Sequence, residues 1–275
     1  MADRLFRFGV VAASAADAGE WAGLARRAED LGYATFLTPD TLNTLPPLLA
    51  LSAAASATTT IGLGTFVLAV PYRRPEQVAW EVAGMNFLSG GRFELGLGAG
   101  RPDAREDTAR LGVPFGSYDE RIRRLEEVIR QVRKWPAVGS AAPGPTPRVL
   151  IAAAGARMLG FAARNADTVA VALDAGTPED GLAEPVRLLR LASDDFDRLE
   201  ISTGLHVVGD EVPPWLARQL GPDVPEDSIA VLRGTPREMA DRLLRRRDAY
   251  QASYITVNAM FAERLAPVVE LLAGT

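Results

Sequence analysis

Three glycines, Gly96, Gly98 and Gly100, crowd the end of the run GRFELGLGAG at residues 91–100, and the chain passes from them directly into RPDARED. Glycine weakens a strand, so a cluster at a strand's end marks a place where something approaches the backbone closely. A second small-residue run, AAAGAR at residues 152–157, reads as a strand end that turns into a helix. The free N–H groups and the dipole at such a helix start make an anion site, with Arg157 beside it. Arg101 and Arg105 follow the first cluster and could grip phosphate or carboxylate groups. Candidates for proton chemistry are few. His206 is the sole histidine of the chain and titrates near neutrality without help, although a lone histidine on a strand also reads as a structural residue. Asp40, in TPDT, would need burial to hold a proton at pH 7, since an ordinary aspartate titrates near about 3.9.

The elements that must position these residues follow a regular rhythm. Strands are expected at 5–12, 33–37, 61–67, 92–98, 149–153, 168–173, 201–208 and 254–257. Between and after them, helices are expected at 19–31, 44–57, 75–88, 118–135, 156–165, 178–191, 236–250 and 262–273. The helix at 118–135 shows the signal best, with Ile122, Leu125, Val128, Ile129 and Val132 on one face. A Pro/Gly/Ala-rich piece at 136–147 reads as a loop, and 211–227 reads as irregular because of its prolines. Strands alternating with helices imply parallel pairing and right-handed crossovers. Eight such units point to a closed (β/α)₈ TIM barrel, one domain over residues 1–275. An open doubly wound sheet is the lesser choice, because no Gly-x-Gly-x-x-Gly follows the first strand.

Composition narrows the classes. At 275 residues, with 48% hydrophobic and 24% charged residues, the chain fits one globular barrel. A formal net charge of −5 argues against nucleic acid as a partner. Without cysteine there is no disulfide framework and no thiolate metal site, and one histidine makes no metal cluster. The first ten residues show no apolar signal core, and no apolar run approaches ~18 residues, so no membrane partner and a cytoplasmic protein are expected.

A barrel places its active site at the C-terminal ends of its strands. Those positions are Asp40 after the second strand, Thr65 and Phe66 at the third, and Gly98, Ala99, Gly100 and Arg101 after the fourth. Ala153, Ala154, Gly155, Ala156 and Arg157 follow the fifth, Asp174 the sixth, His206 lies near the end of the seventh, and Asn258 follows the eighth. Glu94, in a strand that should be apolar, either pairs with an arginine inside the barrel or faces a helix. Arg73 stands on the loop after the third strand.

The residues carry a resemblance. LSGGR at 88–92 with LGLGAG at 95–100, then Glu106 and LGVPF at 111–115, IGLGT at 61–65 with Arg74-Pro75, Ala166-Asp167, and GTPRE at 234–238 resemble the luciferase-like monooxygenase superfamily. Within it, the chain resembles the branch that uses the deazaflavin coenzyme F420. The resemblance implies a barrel oxidoreductase, with glycines against a tricyclic ring and Thr65–Phe66 at a bulge, often with a non-proline cis peptide, that backs the ring. Asp40 matches an acidic residue near the ring's pyrimidine end, and Ala154, Gly155, Ala156 and Arg157 match a phosphate-binding turn. Arg101, Arg105 and, in second rank, Arg73 could contact the phosphate or the acidic tail. The sequence also departs from its relatives. Thr41 follows Asp40 where many have histidine, and Arg101 stands where some dehydrogenases carry glutamate. Both usual proton handlers of alcohol oxidation are therefore missing, which fits reduction of an imine or an activated C=C in a small-to-medium metabolite, since a reduced deazaflavin is a hydride donor. A short segment before Val149 suggests a shortened lid. The alternatives are an FMN-dependent two-component monooxygenase and a (deaza)flavin-binding protein without turnover. A homodimer is expected.

Overall fold

The computed structural model describes residues 4–136, 138, 145–220 and 225–275. Eight parallel strands form an inner wall: β1 (Arg7–Val11), β2 (Thr35–Thr38), β3 (Gly62–Thr65), β4 (Phe93–Gly98), β5 (Arg148–Ala153), β6 (Thr168–Val171), β7 (Glu200–Leu205) and β8 (Ala252–Asn258). They pair in sequence order and β8 returns to β1. Leu63 opposite Phe93 and Gly64 opposite Glu94 complete the closed ring between β3 and β4. Outside lie α1 (Ala18–Asp30), α2 (Pro47–Ala57), α3 (Pro75–Leu88), α4 (Tyr118–Lys134), α5 (Gly155–Asn165), α6 (Ala183–Ala192), α7 (Pro236–Tyr250) and α8 (Ala262–Leu272). No helix among the described residues is long and apolar enough to cross a membrane.

Local chemistry explains the helix starts. Ser117 and Glu120 form a reciprocal capping box at α4, and Thr235 and Glu238 form another at α7, where Pro236 occupies the first turn. Trp21 of α1 packs edge-on against Phe36 of β2, with ring centroids 5.3 Å apart, and its indole N–H donates to the Ala50 carbonyl of α2 at 2.8 Å. That one side chain ties two neighbouring helices to the wall.

Several expectations need correction. The strand expected over 201–208 breaks at His206, whose backbone N–H donates to the Ala230 carbonyl at 2.7 Å; Val207–Val208 then pairs outside the barrel with Val231–Leu232. An apolar run does not reveal which partner it pairs with. The helix expected over 178–191 starts as a 3-10 turn at Glu179–Leu182 before α6. A helix at Pro214–Leu220 lies inside the stretch expected to be irregular, its proline serving at the helix start. Another, Ala104–Arg110, escapes the pattern because AREDTAR has no apolar stripe and buries only Ala104 and Thr108. Most of the loop expected at 136–147, and residues 221–224 of the irregular stretch, fall outside the described residues.

The N-terminal end of the barrel is sealed by charge. Arg7 donates to Glu94 and, at 2.9 Å, to Glu200; Arg148 and the Thr168 hydroxyl also reach Glu200, at 3.4 and 2.7 Å. The Arg7 guanidinium lies 4.8 Å over the Tyr254 ring, and the Tyr254 and Thr35 hydroxyls are 2.5 Å apart. Burial alone would lower the Arg7 pKa, but Glu94 and Glu200 more than offset it and raise it. Glu94 therefore pairs with an arginine inside the barrel.

Candidate functional site

Short strand spans leave the C-terminal end to loops, and there the sequence-selected residues separate into three groups. Asp40, two residues past β2, is buried. Its carboxylate accepts from the Ala69 N–H at 2.9 Å and from Arg73 Nη1 and Nη2 at 2.6 and 3.1 Å. Both oxygens are committed as acceptors, so the arrangement makes Asp40 an anchor for the loop after β3 instead of a proton donor. Arg73 is its partner. Beside them the Tyr72 hydroxyl donates to Asp107 at 2.8 Å from the helix Ala104–Arg110. Burial, together with Asp107, raises the Tyr72 pKa.

The second group lines a cavity of about 240 Å³ at the mouth: Val11, Phe66, Gly204, Leu205, His206, Leu216, Thr256, Val257 and Asn258. None of these side chains is charged. The His206 ring is open to solvent, yet enough protein surrounds it that desolvation lowers its pKa below the ordinary histidine value. Leu216, from the helix that sequence patterning missed, covers one side. Asp40 does not line this cavity. Thr65 spends its hydroxyl on β4, donating to the Gly96 carbonyl at 2.7 Å and accepting from the Gly96 N–H at 3.0 Å. The cis peptide joins Phe66 to Val67, one bond beyond the expected place. Thr38, at the end of β2, carries a buried hydroxyl without a hydrogen-bond partner.

The glycine cluster also needs a corrected explanation. A Cβ on Gly96 would lie 1.9 Å from the Thr65 carbonyl oxygen, and one on Gly98 would lie 2.7 Å from Val67 Cγ2. On Gly100, at φ +86°, it would meet Pro71 and Phe115 at 3.0 and 3.2 Å. The close approach inferred from sequence is made by the protein's own β3 and the loop after it. Ala99 is half-buried there, and Arg101 turns outward to Asp103 at 3.1 Å.

Gly155 differs. Its φ is +71°, and a Cβ there would meet nothing within 4 Å. Ala153 ends β5 and is buried; Ala154 stands at the N-cap of α5 without a side chain that could cap it. Gly155, Ala156 and Arg157 at the start of α5 are exposed, and no N-cap side chain takes up their N–H groups. Arg157 pairs with Asp119 and lies 5.5 Å over the Tyr118 ring. Arg121 stacks at 5.6 Å on Tyr118 and at 4.1 Å on Phe115, whose ring also carries Arg105 at 4.9 Å. Arg105 and Arg121 have no carboxylate partner among the described residues. Desolvation, with the Arg105 charge, lowers the Arg121 pKa. Sequence reasoning missed Arg121, Tyr118 and Phe115; the (i, i+3) spacing of Tyr118 and Arg121 at a capped helix start was the available signal.

These features fit a flat, partly apolar group with an anionic extension. The mouth offers apolar walls and unpaired hydroxyl and imidazole groups; the α5 turn offers an uncapped, sterically open anion site.

The model of the luciferase-like monooxygenase family matches residues 5–213. Among curated proteins, the chain is 46% identical over 86 residues to a 4-hydroxyprotoasukamycin monooxygenase of Streptomyces nodosus subsp. asukaensis, covering 31% of this chain and 23% of that protein. It is 31% identical over 166 residues to a 5,10-methylenetetrahydromethanopterin reductase of Archaeoglobus fulgidus, covering 56% and 48%. It is 36% identical over 83 residues to an F420-dependent glucose-6-phosphate dehydrogenase of Amycolatopsis mediterranei, covering 30% and 24%. The aligned part is less than half the length of each of these relatives.

Proposed function

Because the chain belongs to the luciferase-like monooxygenase family, we propose that it is an oxidoreductase that uses reduced coenzyme F420 to reduce an imine or activated C=C of a small-to-medium metabolite, as in natural-product biosynthesis. The observation that carries the cofactor assignment is the turn at Gly155, left-handed, uncapped and open, beside three arginines on two stacked rings. A reductase and an F420-dependent dehydrogenase among the relatives support the same reading.

The α5 N–H groups, with Arg157, would hold a phosphate. Arg121 and Arg105 would take the carboxylates beyond it, each guanidinium kept flat by an aromatic face. Val11, Phe66, Leu205 and Val257 would shield the ring region from water. When bound, the reduced deazaflavin supplies a hydride; the accompanying proton reaches the substrate at the solvent-open mouth. His206, held neutral near pH 7 by desolvation, can orient a substrate carbonyl or imine through its N–H without adding charge. The Asp40–Arg73 pair keeps the loop after β3 in place.

An FMN-dependent two-component monooxygenase is the second reading, supported by the monooxygenase among the relatives. Fluorescence titration of the purified protein with oxidised F420 and with FMN separates the two. Micromolar or tighter F420 binding with much weaker FMN binding is expected. The reverse preference would favour the monooxygenase, and binding of neither would overturn the site. Turnover of imines or enones with reduced F420 then distinguishes an enzyme from a carrier.

A further inference from the structure

We propose that Glu179, with Arg242 and Arg246, positions the cavity mouth: it holds the strap 226–232 that draws His206 out of the barrel wall and so sets where its ring stands. This concerns how the mouth is built, goes beyond the cofactor reading and does not depend on it.

Three arginines stand together at 245–247, a run that ordinarily marks a solvated helix face. On α7, however, the middle one falls on the inner side, in line with Met239 and Leu243, where a helix around a barrel turns apolar residues to the wall. Arg246 is fully buried. Its guanidinium donates to one oxygen of Glu179, from Nη2 at 2.5 Å and from Nε at 3.2 Å, and its Nη1 donates to the Thr203 hydroxyl of β7 at 3.4 Å. Arg242, one turn earlier, donates to the same Glu179 oxygen from Nε at 2.9 Å. An apolar side chain would fill the place of Arg246 about as stably, since burying an ion costs much of what its pairing returns. What the ions add is direction, because a guanidinium and a carboxylate meet in a narrow geometry.

Hydrogen bonds lead from this cluster to His206. Arg242 also donates from Nη1 to the Glu226 carbonyl at 3.1 Å and from Nη2 to the Ser228 carbonyl at 3.0 Å, and the Glu179 N–H donates to the Asp227 carbonyl at 3.1 Å. The loop after β6 grips the same strap. Its Ala175 carbonyl accepts from Ser228 Oγ at 2.5 Å, and its Thr177 carbonyl accepts from the Ile229 N–H at 2.9 Å. Ser228 Oγ in turn accepts from the Ala230 N–H at 3.1 Å. The Ala230 carbonyl then receives the N–H groups of His206 and Val207 at 2.7 and 3.1 Å, and the Leu232 carbonyl receives that of Gly209 at 2.8 Å.

The strap takes over where β7 leaves the barrel. The ladder to β8 ends with Leu205 opposite Val257, and Val207–Val208 pairs with Val231–Leu232 of the strap. Ser228 and the four residues after it are buried, so apolar packing fixes the depth of the strap. Packing alone does not fix its register; the carbonyls and N–H groups held by Arg242, Glu179 and Ser228 do. The Arg246 bond to Thr203, three residues before His206, ties the same cluster to β7. Leu205 and His206 both line the cavity, and no aspartate, glutamate, lysine or arginine lines it with them. The titration of His206 therefore reports how closely protein covers its ring.

The test uses the sole histidine of the chain, which gives a single imidazole in proton–nitrogen correlation spectra of the ligand-free protein. In Glu179→Gln its titration midpoint is expected to rise above the wild-type value, toward about 6.5. The His206 and Val207 amides are expected to exchange with solvent roughly tenfold faster or more. Loss of a negative charge alone would lower the midpoint, so a rise isolates the released strap. Glu179→Asp, which keeps the charge, is expected to recover most of both readouts. Arg187→Gln, which breaks the exposed pair with Glu184 on α6, is expected to leave them at wild-type values. Should Glu179→Gln fail to fold, Arg242→Gln keeps the Glu179–Arg246 pair and releases only the strap carbonyls, and faster exchange at His206 and Val207 is expected there too. A folded Glu179→Gln whose midpoint stays or falls would overturn the proposal, as would wild-type exchange in Arg242→Gln or an equal response in Arg187→Gln. The cluster would then be a bolt between α7 and the wall. F420 titration of the same samples reports separately on the cofactor reading.

Discussion

At the floor of the barrel Arg7, Glu94, Glu200 and Arg148 answer one another, whereas at the mouth Arg105, Arg121 and His206 have no carboxylate partner among the described residues. Both ends gather polar side chains on the same eight strands. The floor uses them to close the structure, and each charge meets an opposite charge of this chain. The mouth leaves the first N–H groups of α5 uncapped and the guanidinium groups of Arg105 and Arg121 without a carboxylate. Unmatched donors are costly where water is excluded, so they collect where a ligand can complete them. The glycines divide in the same way. Gly96 and Gly98 are needed because protein fills the place of a side chain; Gly155 is needed where the space is open.

The largest effect that would test this contrast is at Gly96. Gly96→Ala sets a Cβ against the Thr65 carbonyl, with no flexible side chain to yield. It should cost about 4 kcal/mol or more and is expected to abolish the folded state in urea titrations. An alanine variant with wild-type stability would remove the account of the cluster. Glu200→Ala comes next. It takes from Arg7 one of its two carboxylates and from Arg148 the one it reaches, and with Glu94 remaining and Arg148 half-exposed it should cost about 1–2 kcal/mol. F420 affinity should be unchanged, and a weakened affinity would mean that floor and mouth are coupled. Gly155→Val reverses that pattern. The left-handed backbone costs about 1–2 kcal/mol in stability, but F420 binding should fall by tenfold or more, measured by the same fluorescence titration.

The smallest effect belongs to His206. Its folded pKa lies below the unfolded value of about 6.5. As pH falls through that window, the unfolded chain takes up the proton first, so the wild type loses stability relative to His206→Gln. Above the window the two should match. Turnover by the variant is expected within tenfold of wild type; a loss of about 10²-fold or more would make His206 the proton donor.

Much of this was legible in the sequence. The eight strand and helix positions, the barrel, and the turn at residues 153–157 follow from periodicity and small-residue punctuation, both local properties. α3 occupies the span its pattern marked, because Pro75 starts it and the run PEQVAWEVAGMNFL is helical throughout. The helices Ala104–Arg110 and Pro214–Leu220 were not legible. The first has no apolar stripe, and the second begins at a proline that also reads as a turn. The site was legible in part. Asp40, Phe66, Gly155 and His206 were found as strand-end positions, but their partners were not. Arg73 on Asp40, Arg121 between two rings and Leu216 over His206 come from segments distant in sequence.

What the sequence determined by itself was the alternation of elements, and with it the barrel, because backbone geometry ties hydrophobic period to helix or strand. It also set which residues stand at the strand ends. Tertiary structure alone decided what each of those residues does. Whether Asp40 gives a proton or anchors a loop depends on which side chain reaches it, and what a glycine makes room for depends on what lies across the gap. Those neighbours are set by barrel closure, which brings β3 against β4 and the loops of the mouth together, and no local pattern along the chain records that meeting.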